Sequence, residues 1–552
     1  MKKQNVFERS LMTMGVPNLD FLRKNGIAFV CLILFTSGCL ERRSMEDRSL
    51  TKSESTIREQ HFPVTSGKAF EYPMQGVPEL TLMTEFADMG LPNVGPIDEE
   101  YEKRTGIAIR HLGGVPMQDN KFSYLLASGN LPDIFMNNWL QFPGGPERAI
   151  QQGYILPLND VIDRYAPNFK RVLEENPEID KMVKTDSGIY YAFPFIRSEV
   201  GKVYGGPIIR KDWLDELELP IPTTIDEWYE TLKAFKEKKG AAAPLTLRTL
   251  FMGERTAGFA GAFGVMGNFY IEDGKVKYGY LEPEYREYLE TMAKWYQEGL
   301  IDKDFAVLDL ESVDKKMTSG VSGATIGWFS YIEKYNLTML YNDPRARYVA
   351  APYPTLRKGD IPKLGQLDNA YAGTSSAAIK STTKNLEAAV RWLDYGYSVE
   401  GSLLNTFGIE GITYTMEEGE RKYTDLVVAN PDGLSSDQTM LQYAHQTNFP
   451  MIQHDSQLEW KFEETNQAKE VWKNTKHEDY LLPPITPTSG EASELATLMD
   501  GVDEYVKEVE LRIIMGVNSI DTYDYMVKQL KLLGIERILE IKQAAYQRYI
   551  DR

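Results

Sequence analysis

The chain has 552 residues, a formal net charge of −19 and two cysteines. It is too long for one compact core, so we expect two or three domains or lobes. The 42% hydrophobic and 26% charged residues are typical of a globular protein and exclude disorder for the bulk of the chain. The acidic balance argues against a nucleic-acid-binding protein, which needs a basic face. Two cysteines allow at most one disulfide and exclude a Cys₄ zinc site.

The N-terminal segment has the layout of a secretory signal peptide. The basic pair Arg23-Lys24 precedes an apolar run over 27–35, and small residues follow up to Cys39. The run is too short for a membrane-spanning helix, which needs roughly 20 residues. We therefore predict a leader over 1–38, with a short buried helix as the alternative. The basic region also contains Met12 and Met14, and translation from either is an alternative to a start at Met1.

Residues 36–39 resemble a bacterial lipobox, with Thr36 where Leu is usual. The resemblance implies that Cys39 becomes the first mature residue and carries a diacylglyceryl thioether. Residues 1–38 hold five basic and two acidic residues, so their removal changes the net charge from −19 to −22. Residues 39–75 contain few apolar side chains to offset conformational entropy, and we expect a flexible linker between anchor and body.

Strand and helix patterns alternate at the start of the body. Strands are predicted around Leu80, Ile107 and Pro132, with helices over 98–104 and 121–127 between them. This order predicts a parallel, doubly wound sheet. Ligands bind outside the carboxyl ends of the strands in such sheets, which here are residues 84–88 and 137–139.

Further elements follow along the chain. Thr224 to Glu227 fits a helix capping box. Residues 269–280, centred on Asp273-Gly274, predict a β-hairpin. Residues 323–329 predict a buried strand, and 386–396 an amphipathic helix.

Catalytic motifs are absent from the sequence. It contains no HExxH, no GxSxG, no phosphate-binding loop and no Rossmann glycine pattern. No full EF-hand loop is present, which leaves an irregular calcium site open. A carboxylate pair about 5–10 Å apart, as in a glycosidase, also stays open, because the chain has 80 acidic residues. We predict no catalysis, no cofactor and no metal, with a secreted glycosidase as the alternative.

Several segments occur in order along the body and together resemble the large extracellular solute-binding lipoproteins of bacterial ABC importers, family 1. Within that family, the chain resembles the LplA/LipO-like branch. The segments are Leu131-Pro132-Asp133-Ile134, 153–158, 165–168, 209–214, 222–224, 298–302, 408–411 and 514–516.

The resemblance implies a two-lobed, type II periplasmic-binding-protein-like α/β fold. Each lobe would be a discontinuous, doubly wound sheet flanked by helices, and hinge segments would join the lobes. We expect lobe 1 over 76–197 and 366–455, and lobe 2 over 198–365 and 456–552 with the C-terminal helices. Ligand would shift the population toward a closed state that contacts it with both lobes.

The resemblance also implies that the protein passes its solute to an ABC permease pair and its ATPase. The 11% aromatic content suits an oligosaccharide ligand. We expect a monomer on the outer face of the bacterial cytoplasmic membrane, held only by the lipid anchor and without nucleic acid. A peptide, a lipid-linked precursor or a sensor role toward a membrane kinase are the alternatives, and neutral and uronic sugars both stay open.

Candidate ligand-binding residues are those expected where strands and crossings reach the cleft. Acids and Asn accept sugar hydroxyls, Arg binds hydroxyls or carboxylates, and aromatic rings stack on sugars. Each candidate has a structural cap or a solvated loop residue as its alternative. The candidates are Glu85, Asp88, Asn137, Trp139, Phe195, Arg197, Trp328, Asp368, Tyr371 and Glu410. Trp213 and Trp228 lie in helical apolar stripes and are expected in the core.

Overall fold

A computed structural model describes residues 71–84, 95–112, 131–248, 257–432, 434–445, 449–454 and 462–552. The predictions on the leader, Cys39, the linker up to residue 70, Glu85, Asp88 and the helix over 121–127 lie outside these residues. No helix in the described ranges is long and apolar enough to cross a membrane.

Strands and helices alternate through most of the described chain. The strands are β1 (Leu80–Thr84), β2 (Ile109–Leu112), β3 (Ile134–Asn137), β4 (Phe193–Ile196), β5 (Gly205–Arg210), β6 (Phe269–Glu272), β7 (Lys275–Tyr278), β8 (Ala324–Trp328), β9 (Tyr348–Ala350), β10 (Tyr371–Ile379), β11 (Tyr414–Glu417), β12 (Glu420–Tyr423) and β13 (Met451–Ile452). The helices are α1 (Pro96–Thr105), α2 (Gly145–Gln151), α3 (Asn159–Tyr165), α4 (Pro167–Glu175), α5 (Pro177–Val183), α6 (Lys211–Glu216), α7 (Ile225–Lys238), α8 (Pro283–Gln297), α9 (Leu310–Thr318), α10 (Phe329–Asn342), α11 (Leu386–Tyr395), α12 (Val399–Phe407), α13 (Asp425–Val428), α14 (Ser436–Tyr443), α15 (Glu463–Lys473), α16 (Ser489–Ile514), α17 (Thr522–Leu532) and α18 (Ile535–Asp551).

The larger sheet has six strands in the order β13-β4-β10-β3-β1-β2. Strand β1 pairs in parallel with β2 and β3, and Leu82 lies opposite both His111 and Ile134. Strand β13 is parallel to β4, whereas β10 is antiparallel to β3 and β4. The carboxyl ends of the five parallel strands therefore share one edge, at which β10 begins. We call this sheet and its helices the first lobe.

The predicted strands and helix at the start of the body are confirmed. Helix α1 ends at Gly106, whose φ of 74° lies in the left-handed region that glycine adopts readily. Strand β2 begins at Ile109 rather than Ile107 and β3 at Ile134 rather than Pro132. Proline cannot donate a hydrogen bond to a sheet, which is consistent with the later start of β3.

A second sheet joins three strands in the order β8-β5-β9. Its pairings are antiparallel, with Gly205 opposite Trp328 and Ile208 opposite Ala350. The predicted buried strand over 323–329 is confirmed as β8. The predicted hairpin is β6–β7, turning at Asp273 and Gly274 with φ of 50° and 73°. We call the second sheet and its helices the second lobe.

Two large hydrophobic cores correspond to the two sheets. One core contains side chains from 80–196 and 371–451, and the other contains side chains from 209–351 and 502–538. Each core is therefore built from two segments that are far apart in the sequence. The lobe boundaries given above stay predictions.

The C-terminal helices connect both lobes. Helix α16 packs against α8 of the second lobe and against α2 of the first. At the end of α18, Arg552 donates to the carbonyl oxygens of Lys181 and Lys184 at 2.8 and 2.6 Å, and pairs with Asp186 of the first lobe. Arg548 pairs with the same carboxylate. The end of the chain thus braces the lobes against each other.

Candidate functional site

Two crossing segments connect the lobes. The chain leaves the carboxyl end of β4 through residues 197–204 to reach β5, and it returns from β9 to β10 through residues 351–370. Strand β8 ends at Trp328 opposite Gly205, the first residue of β5. The crossings therefore lie between the edge of the first sheet at which its parallel strands end and the edge of the second sheet that contains Trp328.

Hydrogen bonds join the two crossings. The Arg197 N–H donates to the Ala370 carbonyl at 2.8 Å, and the Asp368 N–H donates to the Lys202 carbonyl at 3.1 Å. The buried Gln366 side chain accepts from the N–H groups of Tyr204 and Gly205 at 2.6 and 3.1 Å. These bonds hold the two segments together as one paired unit.

An ion pair lies on this unit. Arg197 Nη2 is 2.9 Å from Asp368 Oδ2, and the two side chains are 14% and 28% exposed. The Tyr204 hydroxyl donates to the same oxygen at 2.7 Å. Arg197 Nη1 donates to the Asn369 carbonyl at 3.1 Å. The group offers a carboxylate that contacts both a guanidinium and a phenol.

An aromatic pair lies next to the ion pair. The rings of Tyr204 and Trp328 are 5.0 Å apart at 64°, an edge-to-face arrangement. Trp328 is half-buried. A Cβ added at Gly205 would lie 2.6 Å from the Trp328 ring, so a glycine is required where the indole lies across β5. We call Arg197, Tyr204, Trp328 and Asp368 the hinge cluster.

A third connection leaves the end of β13. The Gln453 N–H donates to the Ile196 carbonyl at 2.8 Å, which extends the pairing of β13 with β4. Ser402 Oγ and His454 Nε2 are 2.7 Å apart. Two polar side chains, Gln453 and His454, thus follow a strand that ends at the same edge as the other parallel strands.

The lobes also contact each other between α10 and α14. Ser436 Oγ donates to Oε1 of the buried Glu333 at 2.9 Å. Burial raises the pKa of the neighbouring Asp437 carboxyl, and a hydrogen bond with Ser330 of α10 opposes that shift. The first turn of α14 therefore contacts α10, the helix that begins directly after β8.

The structure brings together three of the predicted ligand-binding residues: Arg197, Asp368 and Trp328. Asn137 ends β3 at the same edge, but it is only 7% exposed, and its Oδ1 accepts from the Asn138 N–H at 2.7 Å. Glu410 is exposed in the loop between α12 and β11, outside the cluster. Ligand contact by these residues stays a prediction.

Three predicted aromatic residues lie in the core of the first lobe. Trp139 is 2% exposed and packs on Phe142. Phe195 is 1% exposed, and Tyr371 is 5% exposed with its hydroxyl bonded to that of Tyr191. The expected core positions of Trp213 and Trp228 are confirmed, at 6% and 0% exposure.

Sequence reasoning missed Tyr204, Gln366, Gln453 and His454. The sequence could have indicated Tyr204, because this residue comes just before a Gly-Gly pair at a predicted crossing between the lobes. A two-residue strand such as β13 is too short to be recognised from its pattern, so the residues after it could not be nominated. In the described part of the chain, no group of three or more His, Cys, Asp or Glu side chains could hold a metal ion.

Comparison with known proteins identifies the family. Residues 94–402 match the model of the bacterial extracellular solute-binding protein family. The chain belongs to this family. The sequence-based assignment is therefore confirmed, and the family and its relatives are binding proteins rather than enzymes.

Two relatives and one solved structure extend this comparison. The chain is 24% identical to FusA of Streptococcus pneumoniae, a fructooligosaccharide ABC transporter substrate-binding protein, over 87% of this chain and 92% of FusA. It is 26% identical to lipoprotein LipO of Bacillus subtilis over 63% of this chain and 69% of LipO. The crystal structure of the alginate-binding protein AlgQ2 without calcium superposes with a TM-score of 0.72 at 24% identity, covering 85% of this chain and 98% of AlgQ2. The predicted two-lobed fold class is confirmed.

Proposed function

We propose that the protein is the lipid-anchored, extracellular substrate-binding component of an ABC importer and captures an oligosaccharide between its lobes. It then delivers the sugar to a permease pair driven by an ATPase. The observation that carries the proposal is the hinge cluster, which places the Trp328 ring beside the Arg197–Asp368 ion pair. The oligosaccharide named for FusA supports the ligand class.

The hinge cluster has the chemistry that sugars require. The C–H face of a sugar ring stacks on an indole, while its hydroxyls both donate and accept hydrogen bonds. Asp368 accepts such bonds, and Arg197 donates them. Because the cluster lies on the paired crossings, a ligand bound there touches the hinge itself. It would favour the state in which both lobes reach it.

Isothermal titration of the mature protein against a glycan panel tests this function. The panel contains neutral fructo-, xylo-, manno- and galacto-oligosaccharides together with oligogalacturonides and alginate oligomers. We expect saturable binding to at least one class and a matching rise in melting temperature. No binding across the panel would contradict the proposal, whereas product release from the same glycans would identify a glycosidase.

Trp328→Ala is expected to weaken binding of the best panel ligand by about 1–3 kcal/mol, by analogy with aromatic stacking on nucleic-acid bases. Titration calorimetry measures the loss. Tyr341→Ala is the control, since Tyr341 is 92% exposed on α10 of the same lobe and its removal should leave affinity unchanged. Equal affinities for Trp328→Ala and wild type would remove Trp328 from the site.

Cys39→Ser is expected to release the protein from the membrane. A serine hydroxyl cannot form the thioether that the lipobox resemblance implies at Cys39. Cell fractionation followed by mass spectrometry of the N-terminal peptide measures both localisation and lipid. A Cys39→Ser variant that stays in the membrane fraction, or a wild-type chain without lipid on Cys39, would contradict the anchor.

A further inference from the structure

We propose that Asp368 is a specificity-determining residue that restricts the site to neutral oligosaccharides by neutralising Arg197. This inference rests on the proposed function of the same site and names its substrate class. It starts from the contacts of the two side chains.

Both terminal nitrogens of Arg197 already contact oxygen atoms of the protein. Nη2 contacts Asp368 Oδ2 at 2.9 Å, and Nη1 donates to the Asn369 carbonyl at 3.1 Å. Arginine recognises carboxylates best through two parallel N–H groups. A uronate that used the terminal pair would have to share these nitrogens with the Asp368 carboxylate and the Asn369 carbonyl.

Asp368 is held in place from several sides. Its Oδ2 accepts from the Tyr204 hydroxyl at 2.7 Å, and its Oδ1 accepts from Gln366 Nε2 at 3.4 Å. Its own N–H donates to the Lys202 carbonyl at 3.1 Å. Connected hydrogen bonds of this kind keep a side chain in one orientation. The carboxylate therefore stays beside Arg197 instead of giving way to a ligand.

The charges at the site disfavour an anionic sugar. The ion pair has no net charge, and a uronate at the cluster would approach the Asp368 carboxylate. Because both side chains are largely buried, salt screens this repulsion less than it would at the surface. The net charge of −19 adds repulsion at long range. Neutral hydroxyls, in contrast, can donate to Asp368 and accept from Arg197.

Titration calorimetry at pH 7 tests the inference on the mature chain. The probes are neutral oligosaccharides of three to four units from the fructo-, xylo-, manno- and galacto-series, and the matched uronates trigalacturonate and trimannuronate. We expect wild type to bind a neutral series at least about tenfold more tightly than either uronate, a difference of about 1.4 kcal/mol.

Asp368→Asn should reduce the discrimination. The amide oxygen still accepts from Tyr204, but the negative charge beside Arg197 is gone. Uronate affinity should rise at least about tenfold, and this gain should shrink with added salt, whereas neutral binding should be salt-independent. Asp368→Ser is a second variant with the same expected direction. Glu508→Gln on α16 makes the same change in net charge at an exposed position and should change neither affinity.

The outcomes separate this inference from the proposed function. Preference of wild type for a uronate would overturn the role of Asp368 and leave oligosaccharide binding standing. Absence of any uronate gain in both Asp368 variants would overturn it as well. If wild type bound none of the probes or panel glycans, the inference would fall together with the proposed function.

Discussion

Trp472→Ala is expected to lower the free energy of unfolding by about 3–5 kcal/mol, the cost of removing a large buried side chain. The Trp472 indole is fully buried, and its Nε1 donates to the carbonyls of Pro207 and Ala351 at 3.2 and 3.1 Å. The ring also lies where a Cβ at Gly206 would be 2.5 Å from it. Trp472 thus ties α15 to β5 and to the segment after β9, which begins the second crossing.

Urea unfolding followed by far-UV circular dichroism measures this change. Trp472→Phe is the matched control, because it keeps an aromatic ring while it removes the two hydrogen bonds at Nε1 and part of the indole volume. We expect the control to lose about 1–3 kcal/mol, the cost of leaving buried carbonyl acceptors without a donor. Equal losses in the two variants would show that ring packing contributes little at this position.

Local patterns in the sequence were sufficient where the interactions are local. Asp273-Gly274 predicts the β6–β7 turn because both residues tolerate positive φ, which that turn requires. Thr224 predicts the start of α7, and its side chain does accept from the Glu227 N–H at 3.1 Å. The carboxylate of Glu227 accepts from Thr223 instead of completing a box with Thr224. The capping pattern therefore predicted the start of the helix correctly, but not the partner of the Glu227 carboxylate.

Contacts between distant segments could not be predicted in the same way. The antiparallel strand β10 lies between β3 and β4 in the first sheet. In the chain, however, the strands of the second sheet, β5, β8 and β9, come between β4 and β10. The roles of Tyr204 and Gln366 depend on the pairing of two crossings 162 residues apart. No local pattern encodes that pairing. The sequence located Arg197 and Asp368 near crossings but not the contact between them.

The aromatic candidates show why a strand end alone does not define a site. All four residues of β4 are buried, so a side chain within this strand enters the core whichever face of the sheet it lies on. Phe195 points into the core of the first lobe, whereas Arg197, two residues later and beyond the end of β4, reaches Asp368. Trp328, the last residue of β8, is half-buried.

A buried histidine lies behind the second crossing. His477 is 4% exposed, and its Nδ1 accepts from the Gly365 N–H at 3.4 Å. Burial lowers the pKa of His477 to about 4, although the nearby Asp368 carboxylate favours the charged form. An imidazolium carries hydrogens on both nitrogens and cannot accept from Gly365. Protonation would therefore break a contact one residue before Gln366, which holds the crossings together.

Acidification from pH 7 to pH 4 is expected to cost about 3 kcal/mol of folding free energy through His477. The sign follows from the two states. The unfolded histidine, with a pKa near 6.5, binds its proton first, while the folded one stays neutral until about pH 4. The stability is present above pH 6.5, is lost as the pH falls, and levels off below pH 4.

The difference between wild type and His477→Asn in urea unfolding isolates this contribution. The Asn carbonyl can accept from Gly365 and does not titrate, so the free-energy gap between the proteins should change by about 3 kcal/mol between pH 7 and pH 4 in favour of the variant. Burial also lowers the pKa of His445 to about 4, but that group is present in both proteins and cancels. Parallel curves would place the acid sensitivity elsewhere. If glycan affinity falls over the same pH range in wild type and falls less in His477→Asn, protonation of His477 also weakens glycan binding.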